Sequence, residues 1–282
     1  MLFLLTAKVF GCSTIGHLHG GAFDRFWNKL PKVCKLIGLT ALNSLDGLII
    51  LMRRWKRKWR NLITESPRYR LFILPDPIDK NFADQEFSRP FQAEEVTLLF
   101  VGAIGEGKGV PTLLQAMNRV VAKSPNVHLI LLGPEEHSGD HNEMKKLASQ
   151  LLPDGCYKFV GSVYDKRKIE FFSQSDVFVF PSNYESFGVV IAEAMAASRP
   201  IVCTPVGMAP EYLEHGVSAL FVRRGDPDDL AEKIGWMISH PQEAIEMGEK
   251  ARKIFEEKLS QDRIMIKLSR IYMTLLKSRE EH

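Results

Sequence analysis

Cysteine is scarce in this chain of 282 residues, and the four that occur, Cys12, Cys34, Cys156 and Cys203, are scattered with no C-x-x-C spacing. That pattern argues against a disulfide-framed domain and against a cysteine zinc site, and it fits a reducing, cytoplasmic setting. Long apolar runs are also missing. The apolar stretch at residues 1–10 is broken by Lys8, has no basic segment ahead of it and is too short to span a bilayer, so it reads as folded structure. A strong net charge is absent as well: the total is +3, yet it divides into +8 over residues 1–90 and −5 over the remainder. The basic first part points to an anionic substrate or membrane surface as partner.

What is present is apolar content, 45% of the residues, enough for one large or two medium domains. Residues 1–90 read as a helix tail, a strand at 13–18, a turn at His19-Gly20-Gly21, helical segments to Leu42, a strand at 47–51, a basic helix and a strand at 70–74. So few strands suggest an incomplete α/β domain. His17 and His19 share a strand face just ahead of two glycines, where backbone can approach a ligand closely, and His19 is the candidate for a polar role. Arg53, Arg54, Lys56, Arg57, Lys58 and Arg60 surround Trp55 and Trp59 with no acid between them. On a helix the tryptophans share a face with Leu62 and Ile63. Two readings stay open, a buried tryptophan stripe with a solvated back or a dock on anionic lipid. Nucleic acid fits less well, since no recognised binding module is present. The proline-stiffened Leu74-Pro75-Asp76-Pro77-Ile78-Asp79 marks a domain boundary.

From Glu94 onward, apolar runs at 96–101, 127–132, 157–160, 177–180, 200–203 and 219–222 alternate with helical stretches. This is the pattern of buried parallel strands with crossovers, a doubly wound sheet whose ligands bind beyond the carboxyl ends of the strands. After the first run, Gly102 to Lys108 has the G-x-x-x-x-G-K spacing, but Gly109 stands where a phosphate-binding loop needs a magnesium-binding hydroxyl. The loop can offer backbone at Gly105 and Gly107 together with Lys108 to a diphosphate without metal; a plain tight turn is the alternative, and nucleotide hydrolysis is disfavoured.

After the fourth run comes Pro181-Ser182-Asn183-Tyr184-Glu185-Ser186-Phe187-Gly188, then an apolar helical segment containing Glu193. A helix starting near Phe187 or Gly188 directs unpaired N–H groups and its positive dipole end at the Glu185 loop. Glu193, in the second turn, lies roughly 7 Å along the axis. That suits a sugar nucleotide, its diphosphate at the helix start between two carboxylates, although a loop acid and a solvated helix acid would give the same spacing. A loop at 206–211 is aimed at the same edge. His137 and His141, with nearby acids, read as a solvated loop rather than a metal set because Pro134, Ser138 and Gly139 interrupt it. The last helix carries Ile264, Ile266, Leu268, Ile271, Tyr272, Leu275 and Leu276, an apolar stripe that needs a partner, the N-terminal part being the expected one.

Taken together, Pro181-Ser182, Glu185-Ser186-Phe187-Gly188 and Glu193-Ala194-Met195, with the Gly102 to Gly109 loop before them and Gly207 to Glu211 after, resemble the E-x7-E signature of retaining glycosyltransferases of family 4. The resemblance runs from about Gly16 to Tyr272 and extends to Leu18-His19-Gly20-Gly21 and to the connector at 74–79. It implies an α/β, GT-B-like architecture: a complete C-terminal Rossmann-like doubly wound parallel sheet at 79–262, a partial N-terminal α/β domain at 1–78 on the acceptor side, and a helix at 263–282 returning toward the latter. It further implies sugar transfer from a nucleotide-diphosphate sugar to a glycan or lipid-linked acceptor, with no metal or other cofactor. Glu185 would contact the donor sugar, Glu193 the ribose, the amides of Ser186, Phe187, Gly188 and Val189 the phosphates, Lys108 the leaving group, and His19 the transferred sugar. Localisation would be cytoplasmic, peripheral at the inner membrane face. Ala103 stands where the family usually carries an arginine, which keeps open a non-catalytic or split-enzyme sugar-nucleotide-binding module.

Overall fold

The computed structural model describes residues 2–20, 23–59 and 70–280. It divides into two compact units, Met1–Pro77 joined by Gln261–His282, and Ile78–Ser260. The first unit opens with α1 (Leu2–Val9), β1 (Ile15–Leu18), α2 (Phe23–Lys29), α3 (Lys32–Asn43), β2 (Gly47–Ile50), α4 (Arg53–Trp59) and β3 (Arg70–Ile73). The second runs through α5 (Lys80–Ala83), β4 (Val96–Val101), α6 (Val110–Lys123), β5 (Val127–Leu132), α7 (Asp140–Leu151), β6 (Tyr157–Gly161), α8 (Asp165–Gln174) and β7 (Val177–Phe180). It continues with α9 (Val189–Ala196), β8 (Ile201–Cys203), α10 (Ala209–Tyr212), β9 (Leu220–Phe221), α11 (Pro227–Ser239) and α12 (Pro241–Lys258). The chain ends in α13 (Gln261–Glu280).

In the first unit β1, β2 and β3 pair in that order, all parallel. Every residue of β2 is buried, as expected for the central strand of a parallel sheet covered on both faces. Asp46 fixes the sheet's entry, accepting hydrogen bonds from the Thr14 backbone N–H at 2.7 Å and from Thr14 Oγ1 at 3.0 Å. The core joins Ile49 and Leu74 to Ile264, Ile271 and Leu275 of α13. Those three and Leu268 recur at helical spacing on one face. Ile266, Tyr272 and Leu276, assigned to the same stripe from sequence, lie off that face and are exposed. Trp55 is buried while Arg53, Arg54 and Lys56 are exposed. The Trp59 side chain, Arg60, Leu62 and Ile63, which would complete the tryptophan face, lie outside the described residues, as does Gly21.

The second unit is built on a six-stranded parallel sheet in the order β6-β5-β4-β7-β8-β9. Its strands are the Val/Leu/Ile/Phe runs of the sequence, and its crossover helices bury one stripe each, Leu113, Leu114, Met117 and Val120 in α6 for example. Arg199 is also inside, 1% exposed. It is accommodated because its guanidinium donates to the carbonyls of Ala197 at 2.8 Å, Ser175 at 2.6 Å and Ser88, though burial still lowers its pKa to about 10. The strand order reverses between β4 and β7. At such a switch point the loops that follow the two strands diverge and leave a crevice, the usual ligand site of an open α/β sheet.

Candidate active site

The two loops at the switch point are joined to each other. After β4, the chain turns through Gly105, Glu106, Gly107 and Lys108 to Gly109, the N-cap of α6, at a φ of 73°. A Cβ at Gly109 would stand 2.1 Å from the Pro181 carbonyl oxygen, so glycine is required by the backbone of the β7 loop, and a hydroxyl-bearing residue has no room. Asn183 completes the junction, its backbone N–H donating to Gly107 O at 3.0 Å and its side-chain amide to Glu106 O at 2.8 Å. Lys108 reaches across, with Nζ 2.5 Å from Glu185 Oε1, and Ser182 Oγ donates to the same oxygen at 3.2 Å. The side chains of Lys108 and Glu185 are 25% and 11% exposed. The pair is therefore largely removed from water.

Helix α9 begins directly after Gly188, whose φ of 91° turns the loop into the helix axis. The Ile191 N–H donates back to Gly188 O at 2.9 Å, and a Cβ at Gly188 would lie 3.7 Å from Glu185 Cγ, so the helix start adjoins Glu185. Phe187 contributes backbone only, since its ring is 2% exposed and its carbonyl accepts the Met208 N–H at 2.7 Å. Gly207 lets the third loop approach: a Cβ there would fall 2.3 Å from Phe187 O and 2.8 Å from Glu185 Cβ.

Glu193 is buried, 6% exposed, so the solvated-helix alternative does not describe it. Oε1 is held by Lys168 Nζ of α8 at 2.5 Å, and Oε2 is buried with no hydrogen-bond partner. Burial raises the Glu193 pKa; the Lys168 charge and hydrogen bond oppose the shift, and Asp79 adds to it. A cavity of about 690 Å³ opens beside this carboxylate, lined by Asp79, Asn81, Tyr164, Lys168 and Ile169 among others.

The family model for glycosyl transferases group 1 matches residues 81–254, well over half the chain and all of the Lys108, Glu185 and Glu193 positions. The chain belongs to that family. It is 30% identical over 203 residues to the capsular polysaccharide biosynthesis glycosyltransferase CapM of Staphylococcus aureus, covering 72% of this chain and 52% of that one. It is likewise 30% identical over 211 residues to the phosphatidyl-myo-inositol mannosyltransferase of Mycolicibacterium smegmatis, covering 74% and 50% respectively. The chain thus spans about half the length of these curated relatives. Among solved structures, Anabaena Alr3699/HepE in complex with UDP superposes with a TM-score of 0.81 at 19% identity, over 97% of this chain and 75% of that chain. Sucrose-phosphate synthase from Thermosynechococcus elongatus gives 0.78 at 20% identity, over 95% and 69%. These likenesses assign the α/β, GT-B-like fold.

Within this group 1 family member, the loop at 105–107 departs from the expected phosphate cradle. The Gly107 N–H donates to Glu136 Oε2 at 2.8 Å, and Cβ atoms at Gly105 and Gly107 would lie 2.5 Å and 2.1 Å from the Glu136 carboxylate. These glycines admit a carboxylate of the chain itself, and the loop's Lys108 is directed at Glu185. Asp140 and His141, read as loop, begin α7. Among the described residues two groups, Glu136/His137/Asp140 and His17/His19/Asp76, place ligand atoms within 4.8 Å of one another. Both are already bonded internally: Asp140 accepts the His137 N–H at 2.8 Å, and His19 Nδ1 lies 2.9 Å from Asp76 Oδ1. His19 belongs to the first unit, its ring 3.9 Å from that of His17, whose pKa is lowered by burial and by His19 against the pull of Asp76. Sequence reasoning missed Lys168, and it read Glu136 as an acid of a solvated loop rather than as the partner of Gly107. Neither has a local signal, because each meets its partner only through the sheet: Lys168 and Glu193 are 25 positions apart, Gly107 and Glu136 are 29.

Proposed function

We propose that the chain transfers a sugar from a nucleotide-diphosphate donor to a glycan or lipid-linked acceptor, with retention of the anomeric configuration. The observation that carries this reading is the Lys108–Glu185 ion pair beside the N-terminus of α9, at the switch point of the family-matching unit. As the bond from sugar to diphosphate breaks, negative charge grows on the departing phosphate. The α9 dipole and Lys108, once released from Glu185, meet it, and this electrostatic term is the principal source of catalysis. Glu185 addresses the sugar hydroxyls, Glu193 the ribose, and the amides from Ser186 to Val189 the phosphates. Gly109, with no hydroxyl to hold magnesium, supports a metal-independent reaction. CapM, named for capsular polysaccharide biosynthesis, and Alr3699/HepE, solved with UDP, support a polysaccharide acceptor and a uridine donor. The exposed Arg53, Arg54 and Lys56 support a peripheral site at the anionic cytoplasmic membrane face.

The test is a panel of UDP-, GDP- and ADP-sugars scored for transfer, with the product anomer read by NMR. Glu185→Ala should abolish transfer while leaving the circular dichroism spectrum unchanged; undiminished turnover would remove the assignment. A second reading, a binding module without catalysis, is favoured by Ala103 and by the occupied Gly107 N–H, which leave few phosphate donors. Nucleotide binding by calorimetry without hydrolysis or transfer of any donor would select it.

A further inference from the structure

We propose that Lys168 is a positioning residue for the donor site: it ties down one oxygen of Glu193, so that the second oxygen is presented as an acceptor to a hydroxyl of the nucleotide. The inference rests on the sugar-nucleotide reading above and deepens it. Three observations carry it. Lys168 Nζ is 2.5 Å from Glu193 Oε1, and both side chains are largely removed from water, 21% and 9% exposed. Glu193 Oε2 is buried with no partner, an arrangement that costs free energy in the isolated protein and is therefore expected where a ligand supplies the missing donor. The cavity of about 690 Å³ reaches both residues and is wide enough for a nucleoside.

The lysine is itself constrained. It projects from the first turn of α8 and lies 6.0 Å from the centroid of the Phe82 ring on α5, which limits the directions its ammonium can take. The other charged side chains lining the cavity are Asp79 ahead of α5 and Lys166, Asp165 and Glu170 of α8, of which Asp79 acts on the Glu193 charge. Among them Lys168 is the cation in contact with the carboxylate. Removing it would leave a desolvated acid beside Asp79, and such an acid takes up a proton and loses acceptor capacity.

The experiment is calorimetric titration of UDP, GDP and ADP into the wild type, Lys168→Arg and Lys168→Met between pH 5.5 and 8.5, in two buffers of different ionisation enthalpy. Lys168→Gln serves where the Met variant does not fold. In wild type the preferred nucleotide should bind with little dependence on pH near neutrality. Lys168→Met should weaken it on the order of tenfold, the scale of losing support for a charged hydrogen bond. Its affinity should then recover as pH rises, with protons released on binding, while Lys168→Arg stays near wild type. Equal affinity and an equal pH profile for wild type and Lys168→Met overturn the proposal. A ligand-free reading stands beside this one, a carbon-13 NMR titration of the glutamate carboxyls assigned by difference with Glu193→Gln. Lys168→Met should raise the Glu193 midpoint, and an unmoved midpoint overturns the proposal. A wild type that binds none of the three nucleotides removes the donor reading, and the carboxyl titration then still decides Lys168.

Discussion

Gly207→Ala should damage stability and ligand binding together, through one contact. Gly207 has a φ of 56°, a region that costs an alanine about 1–2 kcal/mol. The added Cβ would also lie 2.3 Å from Phe187 O and 2.8 Å from Glu185 Cβ, about 1 Å inside normal contact for the oxygen, and Phe187 O is fixed by the 2.7 Å bond from Met208 N–H. Overpacking of this kind adds about 1–3 kcal/mol. Gly216 provides the control, with a φ of 76° and nothing within 4 Å of an added Cβ, so Gly216→Ala incurs the backbone cost alone. Guanidinium denaturation of the two variants should then differ by about 1–3 kcal/mol, or roughly 2–10 °C in melting temperature. The relief available to Gly207→Ala is a shift of the 185–188 loop, so its nucleotide affinity should fall while that of Gly216→Ala does not. Indistinguishable stability and binding for the two variants would refute the claim that the third loop positions Glu185 and the start of α9.

Glu193 predicts a pH effect on stability. Its native pKa is raised above the ordinary value of 4.5, so its stabilising contribution is complete below 4.5 and is lost as pH rises through the native value. Relative to Glu193→Gln, wild type should therefore lose stability as pH climbs from 4.5 toward neutrality in urea melts, and parallel curves would contradict the assignment. Thiol labelling of the native protein should modify the exposed Cys12 and Cys34 rapidly and spare Cys156 and Cys203, all four reacting after denaturation. Burial raises the Cys203 pKa to about 12, which deepens its inertness; a third fast thiol would show the core to be open. Finally, Glu185→Ala should bind a nucleoside diphosphate threefold to tenfold more tightly than wild type, by calorimetry, because it releases Lys108 from its internal partner. Weaker binding would mean that Glu185 itself holds the diphosphate end.

The strands and their order along the chain were legible because a buried parallel strand is a short, nearly pure Val/Leu/Ile/Phe run, and few other structures need one. The start of α9 was legible for a similarly local reason, Gly188 followed by a helical apolar segment. What could not be read was who pairs with whom across the sheet. Glu185 and Glu193 stand out by spacing, but the lysines that hold them come from other elements, Lys108 from the loop after β4 and Lys168 from α8, and no periodicity announces Lys168. The glycines at 105 and 107 misled in an instructive way. A glycine reports that something approaches the backbone, and here the approaching group is the Glu136 carboxylate. Arg199 defeated the rule that arginine stays outside because three carbonyls converge on its fork.

The two carboxylates share a design that their spacing alone does not convey. Each has one oxygen held by a lysine at 2.5 Å, Lys108 for Glu185 and Lys168 for Glu193. Counted together the four side chains are neutral, so they do not by themselves attract a dianionic diphosphate; the excess attraction comes from the start of α9, equivalent to roughly half a positive charge. A phosphate drawn there competes with Glu185 for Lys108. As the lysine turns toward the phosphate, the Glu185 oxygen it relinquishes becomes an acceptor for a sugar hydroxyl, so diphosphate binding and sugar recognition are linked through one ammonium group. No equivalent exchange is expected at Glu193, where Lys168 is held near the Phe82 ring and the second oxygen already lies free of it. The proposed chemistry therefore separates into a fixed carboxylate that reads the nucleotide and a releasable one that reads the sugar once the diphosphate is seated.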